Sequence, residues 1–154
     1  MKKLSPWLGL VFRLVLGGVL FYAGYLKAFN PSKAKMAVRA YEALPIPVAN
    51  ILGVALPWIE IGAGLLLILG VAVRQTAIFS GVLMLVFIVA IAQAWARGLS
   101  IDCGCFGGGG QVDAKDTKYV EEIARDFALT LMSFYLFRYP TSRFALDRKK
   151  EKHG

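Results

Sequence analysis

The sequence predicts an all-α fold: an integral membrane four-helix bundle with a short interfacial helix between spans one and two. Three observations carry this reading. Hydrophobic residues make up 57% of the 154 residues and charged residues 18%, against about 45–50% and about 25% in a soluble domain. A chain of this size cannot bury such an excess in one soluble core. The apolar residues gather into runs of the roughly 20 residues needed to cross a bilayer. Finally, 18 Lys and Arg face 10 Asp and Glu, and many of the basic residues flank the apolar runs. This composition excludes disorder. A basic balance on so apolar a chain fits a membrane with basic flanks, so nucleic acid is not expected as a partner. Two cysteines and one histidine, His153, are too few for a structural zinc site or a multi-bridge disulfide scaffold.

The first span, about 7–27, is apolar from Trp7 to Leu26 except for Arg13 and closes on Lys27. Lys2 and Lys3 precede it as in a signal peptide, but the run exceeds a typical h-region. Residues 21–29 offer no small-x-small cleavage site, so the span reads as retained. Asn30-Pro31-Ser32 then starts a short helix with Ser32 as N-cap. Met36, Ala40 and Leu44 fall on one face, and Lys35, Arg39 and Glu42 on another. This is the pattern of a helix lying on a membrane surface, and Pro45-Ile46-Pro47 ends it. The second span, about 48–73, is broken only by Glu60. The third, about 75–97, carries no charge between Gln75 and Ala96, with Arg74 in the preceding turn and Arg97 behind it. The fourth, about 119–138, is the weakest. Its apolar part, Phe127–Phe137, covers only about 16 Å of helix, so a full crossing brings Arg125 and Asp126 into the membrane. The alternative is a half-inserted or interfacial helix. Residues 139–154 form a basic tail, and 1–154 reads as a single transmembrane domain.

Basic residues in short loops set orientation. Lys2, Lys3, Arg74 and the tail residues Arg138, Arg143, Arg148, Lys149, Lys150 and Lys152 share one side. They outnumber Lys33, Lys35, Arg39, Arg97, Lys115 and Lys118 on the other. Both termini are therefore expected in the cytoplasm, in the inner (plasma) membrane. The loops at about 28–47 and 97–118 then face outward.

The second outer loop holds both cysteines: Ser100-Ile101-Asp102-Cys103-Gly104-Cys105-Phe106, followed by Gly107 to Gly110. Facing outward, the thiols meet an oxidising compartment. Gly104 allows the kink that a disulfide across one residue needs, and such a ring is strained, labile and oxidising. It closes almost no loop, so stapling explains it poorly. Three readings stand: a redox-active dithiol/disulfide, a thiolate site for a soft metal such as Cu(I), and inert cysteines. Two thiols alone make a poor metal cage, and no metal site is assigned. The glycine run lacks the context of a phosphate loop and suits flexibility or close approach of a partner.

Ionisable residues inside spans point to function. Arg13 sits low in span one and is expected to snorkel to the cytoplasmic face. Lys27 ends that span at the outer surface, where it reads as an anchor. Glu60, three residues after Pro57, lies too deep to reach water and must be protonated, paired or set in a polar cavity. Glu121 stands four residues before Arg125 and is placed to pair with it, so a plain surface salt bridge at a helix start is one reading of Glu121, Glu122 and Arg125. Lys27, Glu60, Arg125 and Asp126 converge in the outer half of such a bundle, beneath the cysteine loop. There they suit proton-coupled electron transfer, and a cation would favour a nearby thiolate.

These residues resemble the DoxX-like/MauE-like group of redox-associated four-helix membrane proteins. The likeness rests on Gly24 and Lys27 in YAGYLKAFNPSKA, Pro57 and Glu60 in LPWIEIGAG, the Asp-Cys-Gly-Cys-Phe-Gly loop at 102–107, and Arg125-Asp126. It covers about residues 7–138. Resemblance to MauE implies a role beside a periplasmic thioredoxin-like protein, in maturation of a disulfide-rich partner such as methylamine dehydrogenase. DoxX-like relatives imply electron delivery to quinone, which the buried charges would place near Glu60, Arg125 and Asp126; no covalently bound cofactor is expected.

The expected function is thus extracytoplasmic thiol–disulfide exchange, by an oxidoreductase or a quinone-linked redox subunit, with Cys103 and Cys105 cycling between dithiol and disulfide. Lys27, Glu60, Arg125 and Asp126 support them from within the membrane. Two alternatives stand beside it: a non-enzymatic assembly subunit that docks a maturation partner, and a small proton or solute transporter centred on Glu60.

Overall fold

In a computed structural model, residues 5–102 and 110–140 are described. Five α-helices carry the fold: α1 (Ser5–Ala28), α2 (Pro31–Ala40), α3 (Ile46–Leu69), α4 (Val73–Ala96) and α5 (Tyr119–Arg138). A two-residue antiparallel pairing of β1 (Ile101–Asp102) with β2 (Gly110–Gln111) lies between α4 and α5. The helices α1, α3 and α4 are long and apolar enough to cross a membrane, which makes this a multi-pass membrane protein. The remaining long helix, α5, carries Glu121, Glu122, Arg125 and Asp126 near its N-terminus.

Glycines set the packing of α1 against α3. A methyl group on Gly17 would lie 2.9 Å from the Gly64 carbonyl oxygen, and one on Gly24 only 2.6 Å from that of Pro57. Small residues let backbones approach this closely where lipid supplies no hydrophobic force between helices. Pro57 itself sits inside α3 and removes one helical hydrogen bond. The main core joins Leu16 and Leu20 of α1, Ala63 and Leu67 of α3, Ala77 and Met84 of α4, and Leu129 and Leu136 of α5.

The turn between α3 and α4 falls at residues 70–72. Gly70 adopts the left-handed conformation (φ 73°), with Gly70 N–H donating to Leu67 O and Val71 N–H to Leu66 O. This is the six-to-one and five-to-two bonding of a Schellman cap. Arg74 therefore lies in the first turn of α4, not in the connecting turn as expected, and its guanidinium sits 4.9 Å from the Phe137 ring centre. Gly98 (φ 71°) ends α4 in the same way, with Leu99 N–H donating to Ala94 O.

The short helix departs from expectation in two respects. Asn30, not Ser32, holds the N-cap position, because Pro31 fits the first helical turn, where its missing N–H is not needed. The buried face is Ala34, Ala37 and Ala40, while Met36 and Leu44 are exposed and α2 ends before Leu44. Three alanines permit close docking: a methyl group on Gly53 of α3 would lie 2.7 Å from Lys35 Cα. Arg97 then ties the end of α2 to the end of α4. Its guanidinium donates to the carbonyls of Tyr41 and Glu42 and to Gln93 Oε1.

Replacing Gly24 with Val should force α1 from α3 and cost about 1–3 kcal/mol, the usual range for overpacking. Gly18→Ala, at a position with nothing within 4 Å of the added methyl, should leave stability unchanged. Thermal unfolding of the purified protein followed by size-exclusion chromatography compares the two.

Candidate functional site

The direction of each helix brings one set of ends together. α1 and α4 run toward this end and α3 and α5 away from it, so Lys27, Ala96 and Tyr119 lie toward the cysteine loop. The close contact of Gly24 with Pro57 and Ile61 brings Lys27, one turn further along α1, opposite Glu60. Lys27 Nζ sits 2.8 Å from Glu60 Oε1 and 2.6 Å from Oε2, with hydrogen-bond alignment at Oε1. The lysine side chain is 8% exposed and the glutamate 1%. The ammonium also stands 5.8 Å from the centre of the Phe87 ring of α4.

Asp126 enters from α5. Its Oδ1 accepts from Arg125 Nε at 3.0 Å and lies 3.0 Å from Arg125 Nη2. Asp126 is buried, whereas Arg125 reaches partly outward. Thr130 Oγ1 donates to the Asp126 carbonyl one turn below. Two ion pairs, from three helices, thus share one layer of the interior.

Above that layer, Ala40, Ile91, Ala94, Ile101 and Tyr119 form a second apolar cluster. Ile91 and Ala94 follow Phe87 on α4, and Tyr119 precedes Asp126 on α5, so this cluster lies between the charges and the loop. Tyr119 organises it. Its hydroxyl donates to the Leu99 carbonyl and accepts from Ile101 N–H, and its ring lies 5.9 Å from Trp95. These bonds hold β1, and the pairing of Ile101 with Gln111 and of Asp102 with Gly110 closes the base of the cysteine loop. Cys103 and Cys105 themselves lie outside the described residues.

Burial corrects two sequence expectations. Lys27 is buried, at 7% exposed, and meets Glu60 in the convergence expected of the pair, so it is not a surface anchor. Arg13 does not snorkel outward. It is 1% exposed, turned into the interior of the protein. The sequence reading gave Glu122 only a surface role and overlooked Tyr41. Glu122 stands four residues before Asp126, the spacing that puts both on one helix face, and it is buried. Burial, followed by the carboxylates of Glu122, Asp126 and Asp102 and the Tyr119 phenol, pushes the Tyr41 phenol above the ordinary tyrosine range. Among the described residues, no group of three or more His, Cys, Asp or Glu side chains is placed to hold a metal ion.

Two outcomes follow. Lys27→Met alone leaves a buried carboxylate uncompensated and should destabilise by about 3–5 kcal/mol, whereas combining it with Glu60→Leu should restore most of that loss. A double-mutant cycle of thermal unfolding measures this. Tyr41 governs an alkaline window. Above about pH 10 the unfolded chain loses its phenolic proton while the folded chain keeps it. Stability is therefore complete below that pH and falls as pH rises toward the folded value. Tyr41→Phe should flatten this fall in pH-dependent unfolding.

The family model described as "Methylamine utilisation protein MauE" matches residues 5–138. The protein named "Methylamine utilization protein MauE" from Methylorubrum extorquens is 41% identical over 73 residues, which is 47% of this chain. The match covers 39% of that relative's length. No solved structure matches the chain. A match that takes in all five helices and the loop between α4 and α5 settles the family: the chain belongs to the MauE family of methylamine utilisation proteins.

Proposed function

We propose that this protein serves the maturation of a disulfide-rich partner in methylamine utilisation, the methylamine dehydrogenase system, by exchanging thiols and disulfides outside the cytoplasm. In this reading α5 is a fourth span completing a bundle with α1, α3 and α4, and α2 lies at the interface. Both termini lie in the cytoplasm, and the Cys103–Cys105 loop faces outward from the inner membrane. The observation that carries the reading is the β1–β2 clamp, which fixes the base of the cysteine loop through Tyr119 at the mouth of a buried charged layer. A small residue between the two cysteines and the strain of their ring suit an exchanging disulfide better than a structural one.

The partner is a thioredoxin-like or other disulfide-bearing protein. A thiolate of one member of the Cys103/Cys105 pair attacks the partner's disulfide. A mixed disulfide forms and the partner's other sulfur leaves as a thiolate. The second cysteine of the pair then attacks the mixed disulfide. This closes Cys103–Cys105 and releases a partner dithiol, which has gained two electrons and two protons. The reverse sequence oxidises the partner.

Quinone is the membrane carrier class in this proposal, and it supplies acceptance or donation of two electrons with two protons. It does not fit beside Glu60 and Asp126, where the cavity measures about 20 Å³. The lipid-facing groove between α4 and α5 is large enough, at about 320 Å³. There Gly81 gives depth, Phe134 and Phe137 supply apolar walls, and Thr130 and Ser133 supply hydroxyls.

Replacing both cysteines, Cys103→Ser with Cys105→Ser, should reduce methylamine dehydrogenase maturation to the level of cells lacking the protein, while the variant still reaches the membrane. Disulfide content and activity of the dehydrogenase in complemented cells measure this. Full maturation by the double variant would overturn the exchange reading in favour of an assembly subunit.

A further inference from the structure

Beside the charged layer lies a partly open cavity of about 20 Å³, bounded by Ala23 of α1, Glu60 of α3, Met84 of α4, and Arg125, Asp126 and Leu129 of α5. We propose that this cavity binds one water molecule, which bridges the Glu60 and Asp126 carboxylates and passes a proton between them. Size is the first argument, since one water needs about 10–15 Å³ and two to four polar partners. Chemistry is the second. Asp126 is 1% exposed. Its Oδ1 is engaged by Arg125, and its Oδ2 has no hydrogen-bond partner among the described residues. A buried carboxylate oxygen of this kind calls for a donor.

Charge selects the donor. Lys27 from α1 and Arg125 from α5 already balance Glu60 and Asp126, and Lys27 acts electrostatically on Asp126 as well. A metal cation would add a third positive charge, and an anion would meet two carboxylates. Water is neutral, donates twice and accepts twice. The other groups near the layer are Phe87 of α4, Glu122 of α5 and Tyr41 at the end of α2. None brings a further cation.

Proton transfer then requires no oxidant. When Asp126 is protonated at Oδ2, its O–H bond breaks as the water oxygen accepts that proton. The water gives up one of its own hydrogens to Glu60, where a new O–H bond forms. One proton has crossed from α5 to α3, the water is regenerated and no electron has moved. The use of this link to handle the two protons of dithiol–disulfide interconversion rests on the function proposed above, whereas the water site does not.

Solid-state NMR of the full chain in lipid vesicles, with carboxyl carbons labelled, tests it. Magnetisation should pass from water protons to Asp126 Cγ and Glu60 Cδ. On pH titration the two carbons should shift together, as coupled sites do. Ala23→Leu, which fills the cavity, should abolish the transfer to Asp126 and uncouple the two titrations. If that variant does not fold, Leu129→Phe fills the same space. Absence of transfer to Asp126 in the unaltered protein, transfer that survives cavity filling, or independent titration of the two carbons would overturn the proposal. The measurement needs neither partner nor thiols, so its failure leaves thiol exchange standing and failure of exchange leaves the water standing.

Discussion

The ion pair between Lys27 and Glu60 is the constraint around which the rest is arranged. Neither charge survives alone at this depth, because removing an ion from water costs several kcal/mol even after relaxation. Coulomb attraction offsets that cost only at contact, and contact requires α1 and α3 to approach more closely than ordinary side chains allow. Gly24 against Pro57, and Gly17 against Gly64, supply that approach. Beyond the end of α1, α2 docks onto α3 through its alanine face. Arg97 then secures α2 to α4. The fold near the loop is thus largely a means of enclosing charge.

That enclosure links loop and interior through α5. Tyr119, at the start of α5, holds β1 beneath the cysteine loop, and Asp126, two turns further on, joins the charged layer. The base of the loop and the charged layer are thus joined by a single helix, α5. The proposed role gives this connection a setting, since a protein that exchanged disulfides with a partner would need its reactive loop held and its protons managed.

Much of this was legible in the sequence, for reasons of length and hydropathy. Apolar runs of bilayer length marked α1, α3 and α4, and Glu60 announced itself as a carboxylate far from either end of such a run. What escaped was decided by tertiary contact. Lys27 looked like an interfacial anchor because it closes an apolar run, and the close approach of α3 is what sets its ammonium against Glu60. Arg13 stood near the end of a span and long enough to reach water, yet its side chain turns inward. The alanine face of α2 was masked by the larger Met36 and Leu44, which suggest burial by size. Its docking depends on Gly53, fully 16 residues beyond Ala37 in the chain. Arg125 gives its guanidinium to the buried neighbour Asp126, where helical spacing had also offered Glu121.

The central claim is that Cys103 and Cys105 form an exchangeable disulfide facing outward above this charged layer. Labelling intact cells with a membrane-impermeant maleimide, before and after mild reduction, tests it most directly. Modification of both cysteines only after reduction, with no lysis required, is the expected result. Cysteines reached only once the cells are broken would contradict both the outward topology and the oxidising environment on which the proposed chemistry depends.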